Sequence, residues 1–110
     1  MKSYTIKSKV YLKYEGNLKE IANLISKKMQ IAEFWFKNDH DYPYDTVAYC
    51  EPFGFDISLS EIKEHNKYNY CLTLETTYIN MDTECVDISE WLAKCIYIIC
   101  NIETYAESKI

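Results

Sequence analysis

The sequence predicts an α+β fold in which an antiparallel β-sheet of about five strands is covered on one face by two helices. Two observations indicate this architecture. Segments in which apolar and polar residues alternate follow one another at short intervals, and two other segments carry apolar residues at the spacing of an amphipathic helix. The predicted order is β-α-β-β-β-β-α. Its short turns favour an antiparallel meander, and the 110 residues form a single domain, residues 1–110.

The first predicted strand covers residues 4–14, where two sets of side chains alternate. The set expected to face the core is Tyr4, Ile6, Ser8, Val10, Leu12 and Tyr14. The other set contains three lysines, at positions 7, 9 and 13. This pattern is typical of a half-buried strand with one wet, basic side.

The first helix is expected to begin after Asn17, which can cap the free backbone N–H groups together with Glu20 three residues later. Its predicted buried stripe is Leu18, Ile21, Ala22, Ile25 and Met29. Lysines 27 and 28 suit the negative end of the helix dipole.

Four further strands are predicted at residues 32–37, 46–51, 55–60 and 68–76. In the first of them Phe34, Trp35 and Phe36 are consecutive, so a strand must aim Trp35 away from the other two. One side is core. The opposite side either packs under a helix, which is the favoured arrangement, or leaves an aromatic side chain exposed for a partner.

The second helix is predicted over residues 87–102, after a loop at 78–86. Asp87 and Glu90 have the spacing of a capping box. The expected buried stripe is Ile88, Trp91, Leu92, Cys95, Ile99 and Ile102, widened by Ile96 and Ile98. This helix should pack against the sheet.

The sign of the net charge changes along the chain. Residues 1–37 contain eight Lys and three Glu, a net charge of +5, whereas residues 38–110 contain four Lys and fourteen acidic residues, a net charge of −10. If the fold keeps these halves on separate surfaces, the acidic surface attracts a basic partner and repels nucleic acid. The chain has no Arg, the side chain best suited to phosphate and base recognition. Direct binding of nucleic acid is therefore not expected.

Five cysteines, at positions 50, 71, 85, 95 and 100, show no C-x-x-C spacing, so neither a zinc ribbon nor a thioredoxin-like pair is encoded. They are expected to be small hydrophobic side chains in a reducing cytosol. The first residues lack the apolar core of a signal peptide, and no apolar run reaches the roughly 18 residues of a membrane span. We expect a cytoplasmic protein without a cofactor or bound metal.

The most concentrated polar segment is 39–45. Four of its side chains are potential ligands of a divalent cation: Asp39, His40, Asp41 and Asp45. The segment lacks the Gly and the distal Glu of a calcium-binding loop, and an ordinary solvated loop is the simplest alternative. Tyr42 and Tyr44 beside carboxylates are typical of protein interfaces, so a partner-contacting loop is the third alternative.

Catalysis has no support in the sequence. His40 and His65 are the only histidines, and each stands in a polar loop without a catalytic companion. No nucleophile motif surrounds Cys50 or Cys85. Two glycines in the whole chain leave no Gly-rich phosphate loop.

Four segments together resemble the small α+β immunity proteins of bacterial polymorphic toxin systems, including contact-dependent growth inhibition. These segments are 17–29 (NLKEIANLISKKM), 48–60 (AYCEPFGFDISLS), 68–75 (YNYCLTLE) and 87–95 (DISEWLAKC). The resemblance rests on the order and pattern of elements. It implies a cytoplasmic protein that is not an enzyme and that binds the toxic C-terminal domain of a cognate partner, commonly a nuclease.

Nuclease toxins present a basic surface to their substrate, so an acidic patch with tyrosine anchors can occupy it as a charge mimic. From the residues alone, the candidates for toxin binding are Asp39, Asp41, Tyr42, Tyr44 and Asp45, with Glu51 and Asp56 as neighbours on the sheet. The expected oligomeric state is a monomer or weak homodimer. Two alternatives remain: a nucleic-acid-mimicking inhibitor of a host nuclease, as phages use, and a small metal-dependent hydrolase.

Overall fold

The computed structural model describes residues 4–38, 46–63, 65–76 and 84–107. Within these ranges it contains seven strands and two helices, and the α+β class is confirmed. The elements are β1 (Tyr4–Lys13), α1 (Leu18–Met29), β2 (Trp35–Asn38), β3 (Thr46–Cys50), β4 (Phe55–Glu61), β5 (Tyr70–Thr76), β6 (Glu84–Asp87), α2 (Ser89–Cys100) and β7 (Glu103–Ala106). A single 3₁₀ turn, Pro52–Gly54, joins β3 to β4.

The strands form one sheet in the order β2-β3-β4-β5-β1-β6, and β7 also pairs with β1. The β1–β6 pair is parallel and the other pairs are antiparallel. Strand β5 pairs with one edge of β1 over residues 7–12, so β6 and β7 share the opposite edge, one after the other. The predicted meander is therefore correct for β2 to β5, and β1 completes it from the N-terminal end of the chain.

The gap between β6 and β7 is bridged by the start of α2. The backbone N–H of Ile88 donates to the Lys7 carbonyl at 3.0 Å, and the Lys9 N–H donates to Ser89 Oγ at 2.9 Å. The Glu107 N–H then donates to the Lys9 carbonyl at 3.2 Å. Because these bonds satisfy backbone groups that neither strand reaches, the edge of β1 stays hydrogen-bonded along its length.

The first helix follows the prediction. Asn17 Oδ1 accepts a hydrogen bond from the Glu20 backbone N–H at 2.9 Å, and the helix ends where Gln30 adopts a left-handed conformation with φ of 57°. Ile21, Ala22 and Ile25 are buried, while Leu18 and Met29 pack at the edge of the core.

Both helices lie on the same face of the sheet and share one core with it. The sheet contributes inward-facing residues of β1, β3, β4 and β5, which are Val10, Leu12, Ala48, Cys50, Ile57, Leu59, Tyr70 and Leu72. The second helix contributes Leu92, Ala93, Ile96 and Cys100. The opposite face of the sheet carries neither helix.

The predicted buried stripe of α2 is wrong for two of its largest members. Trp91 is 61% exposed and Ile99 is 46% exposed, and Ile98, which was expected to widen the stripe, is 75% exposed. Apolar residues occur on every side of this helix, so their spacing does not determine which side is buried. The small residues Ser89 and Ala93 are buried instead, because small side chains let the helix lie close to the sheet.

The start of α2 also differs from the prediction. Asp87 is the last residue of β6, and its carboxylate accepts the backbone N–H of Ser89 at 2.9 Å. Residues 84–87 were expected partly in the loop at 78–86, but they form a strand. All four are exposed, so they lack the alternating pattern by which strands are recognised in sequence.

Candidate partner-binding surface

The candidate site lies on the face of the sheet that the helices leave uncovered. The strand register places Trp35, Tyr49 and Ser58 next to one another across β2, β3 and β4, and Thr73 and Lys9 continue this row across β5 and β1. Successive residues of a strand point to opposite faces, so this row stands opposite the core residues Ala48 and Leu59. The row crosses five of the seven described strands, from β2 to β1.

Trp35 and Tyr49 form an aromatic pair at one end of the row. They are cross-strand neighbours, with ring centroids 4.8 Å apart and planes 28° from parallel. Trp35 is 50% exposed. The favoured prediction that this side of the strand packs under a helix is therefore wrong, and the alternative of an exposed aromatic side chain is confirmed. The cause is topological, because both helices lie on the other face.

Three carboxylates stand beside this pair. Glu51 follows β3, Asp56 lies in β4, and Glu75 lies in β5 directly opposite Asp56. All three are exposed. Within the part of the chain that the structure describes, none of them forms an ion pair.

A groove of about 410 Å³ lies between the aromatic pair and the carboxylates. Its walls are Trp35, Tyr49, Glu51, Asp56 and Glu75. Ser58 and Thr73 also line it, and their hydroxyls are hydrogen-bonded to each other. The groove thus combines negative charge, an aromatic surface and hydroxyl acceptors, which together suit a cation with hydrogen-bond donors.

The lysines of β1 occupy the same face of the sheet. Lys7 lies opposite Glu75 and Lys9 lies opposite Thr73. The two halves of the sequence that differ in charge are therefore not kept on separate surfaces: they meet on this face, with the acidic groove on β2 to β5 and the lysines on β1. Attraction of a basic partner must come from the groove and not from the face as a whole.

The basic part of the face is partly neutralised by the C-terminal end of the described chain. The Lys9 ammonium lies 3.5 Å from the Glu107 carboxylate, which also accepts a hydrogen bond from the Tyr11 hydroxyl at 2.8 Å. A hydrogen bond with Tyr11 is the main cause that raises the pKa of Lys9. Burial is the main cause that raises the pKa of Tyr11. Both groups therefore keep their protons at neutral pH.

Beside these lysines lies an aromatic cluster that the sequence did not reveal, formed by Tyr11, His65, Tyr68 and Tyr105. The ring of Tyr11 lies 5.2 Å from His65 and 6.2 Å from Tyr105, and Tyr68 is stacked on Tyr105 at 5.8 Å. His65 Nδ1 accepts backbone N–H groups of Lys67 and Tyr68 at 3.2 and 3.3 Å. His65 thus holds a turn, and its exposed ring packs on tyrosines and not on a nucleophile.

Of the seven predicted toxin-binding residues, the structure brings Glu51 and Asp56 together in the groove. The other five, Asp39, Asp41, Tyr42, Tyr44 and Asp45, lie outside the described residues, as does His40. Their roles stay predictions. Sequence reasoning missed Glu75 and Tyr49, whose importance follows only from their register with Asp56 and Trp35.

A second cavity lies on the helical side of the sheet, and its lining is entirely apolar. It measures about 490 Å³ and is lined by residues of both helices and of the sheet, among them Ile25, Leu72 and Leu92. Phe53 and Trp91 also line this cavity, and they are 91% and 61% exposed. With no polar lining group, this cavity cannot orient a polar ligand, so we place the candidate site on the other face.

The chemistry of a metal enzyme finds no support among the described residues. In the described ranges, no group of three or more His, Cys, Asp or Glu side chains is placed to hold a metal ion. The five cysteines are free thiols. Burial raises the pKa of Cys50, whose thiol donates to the Ala32 carbonyl, and a protonated thiol is a poor nucleophile.

No helix in the described part of the chain is long and apolar enough to span a bilayer. The chain matches no protein-family model, no curated protein and no solved structure. The resemblance to immunity proteins stays a prediction.

Proposed function

We propose that this chain is an immunity protein, which binds the toxic C-terminal domain of a cognate bacterial toxin and blocks its active site or its substrate surface. The observation that carries the proposal is the acidic, aromatic groove on the uncovered sheet face. Three exposed carboxylates without an ionic partner in the described chain, beside a half-exposed Trp, form a surface suited to a basic protein.

The immunity protein inhibits the toxin by occupying the surface that binds the toxin's substrate. A nuclease toxin carries positive charge where it holds its phosphate substrate, and the carboxylates of Glu51, Asp56 and Glu75 are matched to that charge. Long-range attraction speeds the encounter, and the aromatic pair supplies contact area that excludes water. The immunity protein acts in the cytoplasm as a monomer or weak homodimer, without a cofactor, and transforms nothing itself.

The test is co-expression with the protein encoded immediately upstream, followed by affinity measurement with its C-terminal domain. We expect a complex that survives purification. The double variant Glu51→Lys plus Asp56→Lys should weaken it by at least about tenfold, and the association rate should fall as salt is added. The double variant Asp41→Lys plus Asp45→Lys tests the loop candidates separately.

Glu15→Lys plus Glu90→Lys is the matched control, because both residues are exposed outside the groove and two charges are again reversed. It should change the affinity by less than about twofold. If no complex forms with the upstream protein but one forms with a host nuclease, the alternative of a nucleic-acid-mimicking inhibitor is favoured. Substrate turnover by the purified chain would contradict both.

A further inference from the structure

We infer that the groove receives one arginine side chain of the bound protein, whose guanidinium stacks on Trp35 and donates hydrogen bonds to Asp56 and Glu75. This inference rests on the proposed function, since it names the group through which the partner is held. The occupant must come from outside, because all twelve basic residues of this chain are lysines.

Two carboxylates face each other in the groove. Asp56 and Glu75 are directly opposite on neighbouring strands, where like charges repel. The nearest lysine in the register is Lys7, on the far side of Glu75, and it forms no ion pair with Glu75. Within the described residues, no cation lies between the two carboxylates, so a cation supplied by a partner relieves their repulsion.

One wall of the groove is aromatic, formed by Trp35 and Tyr49. Trp35 is held in place by its stacking on Tyr49 and still leaves half of its surface exposed. Indole is the aromatic group that attracts cations most strongly. A cation that enters the groove therefore meets an aromatic wall and negative charge in the same space.

The shape of the groove's lining favours a guanidinium over other cations. A guanidinium is planar, so its face can stack on a ring while the N–H groups at its edge donate to carboxylates. A lysine ammonium is compact and strongly hydrated, and it cannot make both contacts with comparable geometry. A divalent metal ion is not favoured, because the described acidic side chains are not gathered closely enough to chelate one.

The test uses the chain alone and two small probes, ethylguanidinium and ethylammonium, at up to about 50 mM, far below denaturing concentrations. Binding is followed by NMR through the indole N–H signals of the two tryptophans. We expect the Trp35 signal to shift and saturate with ethylguanidinium, with an affinity at least about threefold higher than for ethylammonium. Trp91 is the internal control, because it is more exposed than Trp35 but lies on the helical side.

The variant Asp56→Asn plus Glu75→Gln should abolish the saturable shift of Trp35 while its well-dispersed spectrum shows that it is folded. Glu15→Gln should leave the shift unchanged. Equal responses of Trp35 and Trp91, or equal affinities for the two probes, would overturn the inference. Because no toxin is present, guanidinium binding without toxin binding contradicts only the proposed function, whereas toxin binding without guanidinium selectivity contradicts only this inference.

Discussion

The side chain of Asn69 supplies hydrogen bonds that a neighbouring strand would otherwise supply. Its Oδ1 accepts the backbone N–H of Tyr14 at 2.9 Å, and its Nδ2 donates to the Tyr14 carbonyl at 2.7 Å. Its own backbone N–H donates to the Leu12 carbonyl. One amide side chain thus extends the pairing of β1 by a residue, which no sequence pattern indicates.

Asn69→Asp should therefore destabilise the protein, although it replaces only the side-chain NH2 group by an oxygen. The carboxylate can accept the Tyr14 N–H but repels the Tyr14 carbonyl, so we expect a loss of about 2 kcal/mol in the free energy of unfolding. Urea unfolding at neutral pH measures it. Asn66→Asp is the matched control, since Asn66 is exposed, and its effect should stay within about 0.5 kcal/mol. Equal effects would show that the Asn69 amide bonds do not matter.

At the scale of elements, α2 shows what the spacing of apolar residues can predict and what it cannot. The sequence predicted the existence of the helix because apolar residues recur at three- and four-residue steps. Its prediction of the buried side was right only in part. Leu92 and Ile96 are buried as expected, but Trp91 and Ile98 are exposed although they are equally apolar. The buried side carries the small residues Ser89 and Ala93, and the Ser89 hydroxyl accepts a hydrogen bond from the Lys9 backbone N–H of β1.

The orientation of α2 can be tested with two substitutions of the same kind. Ile96 is buried and Ile98 is 75% exposed. Ile96→Ala should lower the free energy of unfolding by about 3 kcal/mol, because it leaves a cavity in the core. Ile98→Ala should change it by less than about 0.5 kcal/mol. Chemical denaturation of both variants checks this. Similar losses would contradict the described orientation, and a larger loss for Ile98→Ala would mean that the helix is turned the other way.

Some strands could be predicted from their own residues, whereas others depend on pairing with a strand that is distant in sequence. β4 and residues 7–13 of β1 were predictable because they alternate between a buried and an exposed face, and α1 was predictable because Asn17 caps it. The alternation predicted for the start of β1 is wrong, since Tyr4 is exposed and Thr5 is buried. β6 and β7 were missed, since they are four residues long and have their place only through the edge of β1. The candidate site follows this rule: Glu51 and Asp56 could be named from sequence, but Glu75 joins them only through strand register.

At the scale of the whole molecule, the cysteines report on the integrity of the core. Cys50, Cys71 and Cys100 are buried in different elements, and burial raises the pKa of each thiol. Cys85 is exposed on β6. Because the thiolate is the reactive form, a raised pKa and lack of access slow the reaction of the three buried groups together.

A thiol-specific reagent such as DTNB at about pH 8 should therefore react in separate phases. We expect Cys85 to react first and Cys95 to follow, while Cys50 and Cys100 react only as the core opens. Cys71, which is buried beside Tyr11 on the other face of the sheet, should also react slowly. In urea all five should react rapidly. Cys85→Ser should remove the fastest phase and leave the slow ones, and rapid reaction of the buried thiols in native buffer would contradict the packing described here.

The pairing of β1 with three other strands has a consequence for how the protein is made. A ribosome synthesises β1 before any strand that pairs with it, and its partners are residues 70–76, 84–87 and 103–106. The lysine-bearing strand β1 therefore emerges from the exit tunnel before any of these partners and stays unpaired until residues 70–76 have been translated. The sheet of the nascent chain should thus close around β1 only after β5 has left the tunnel.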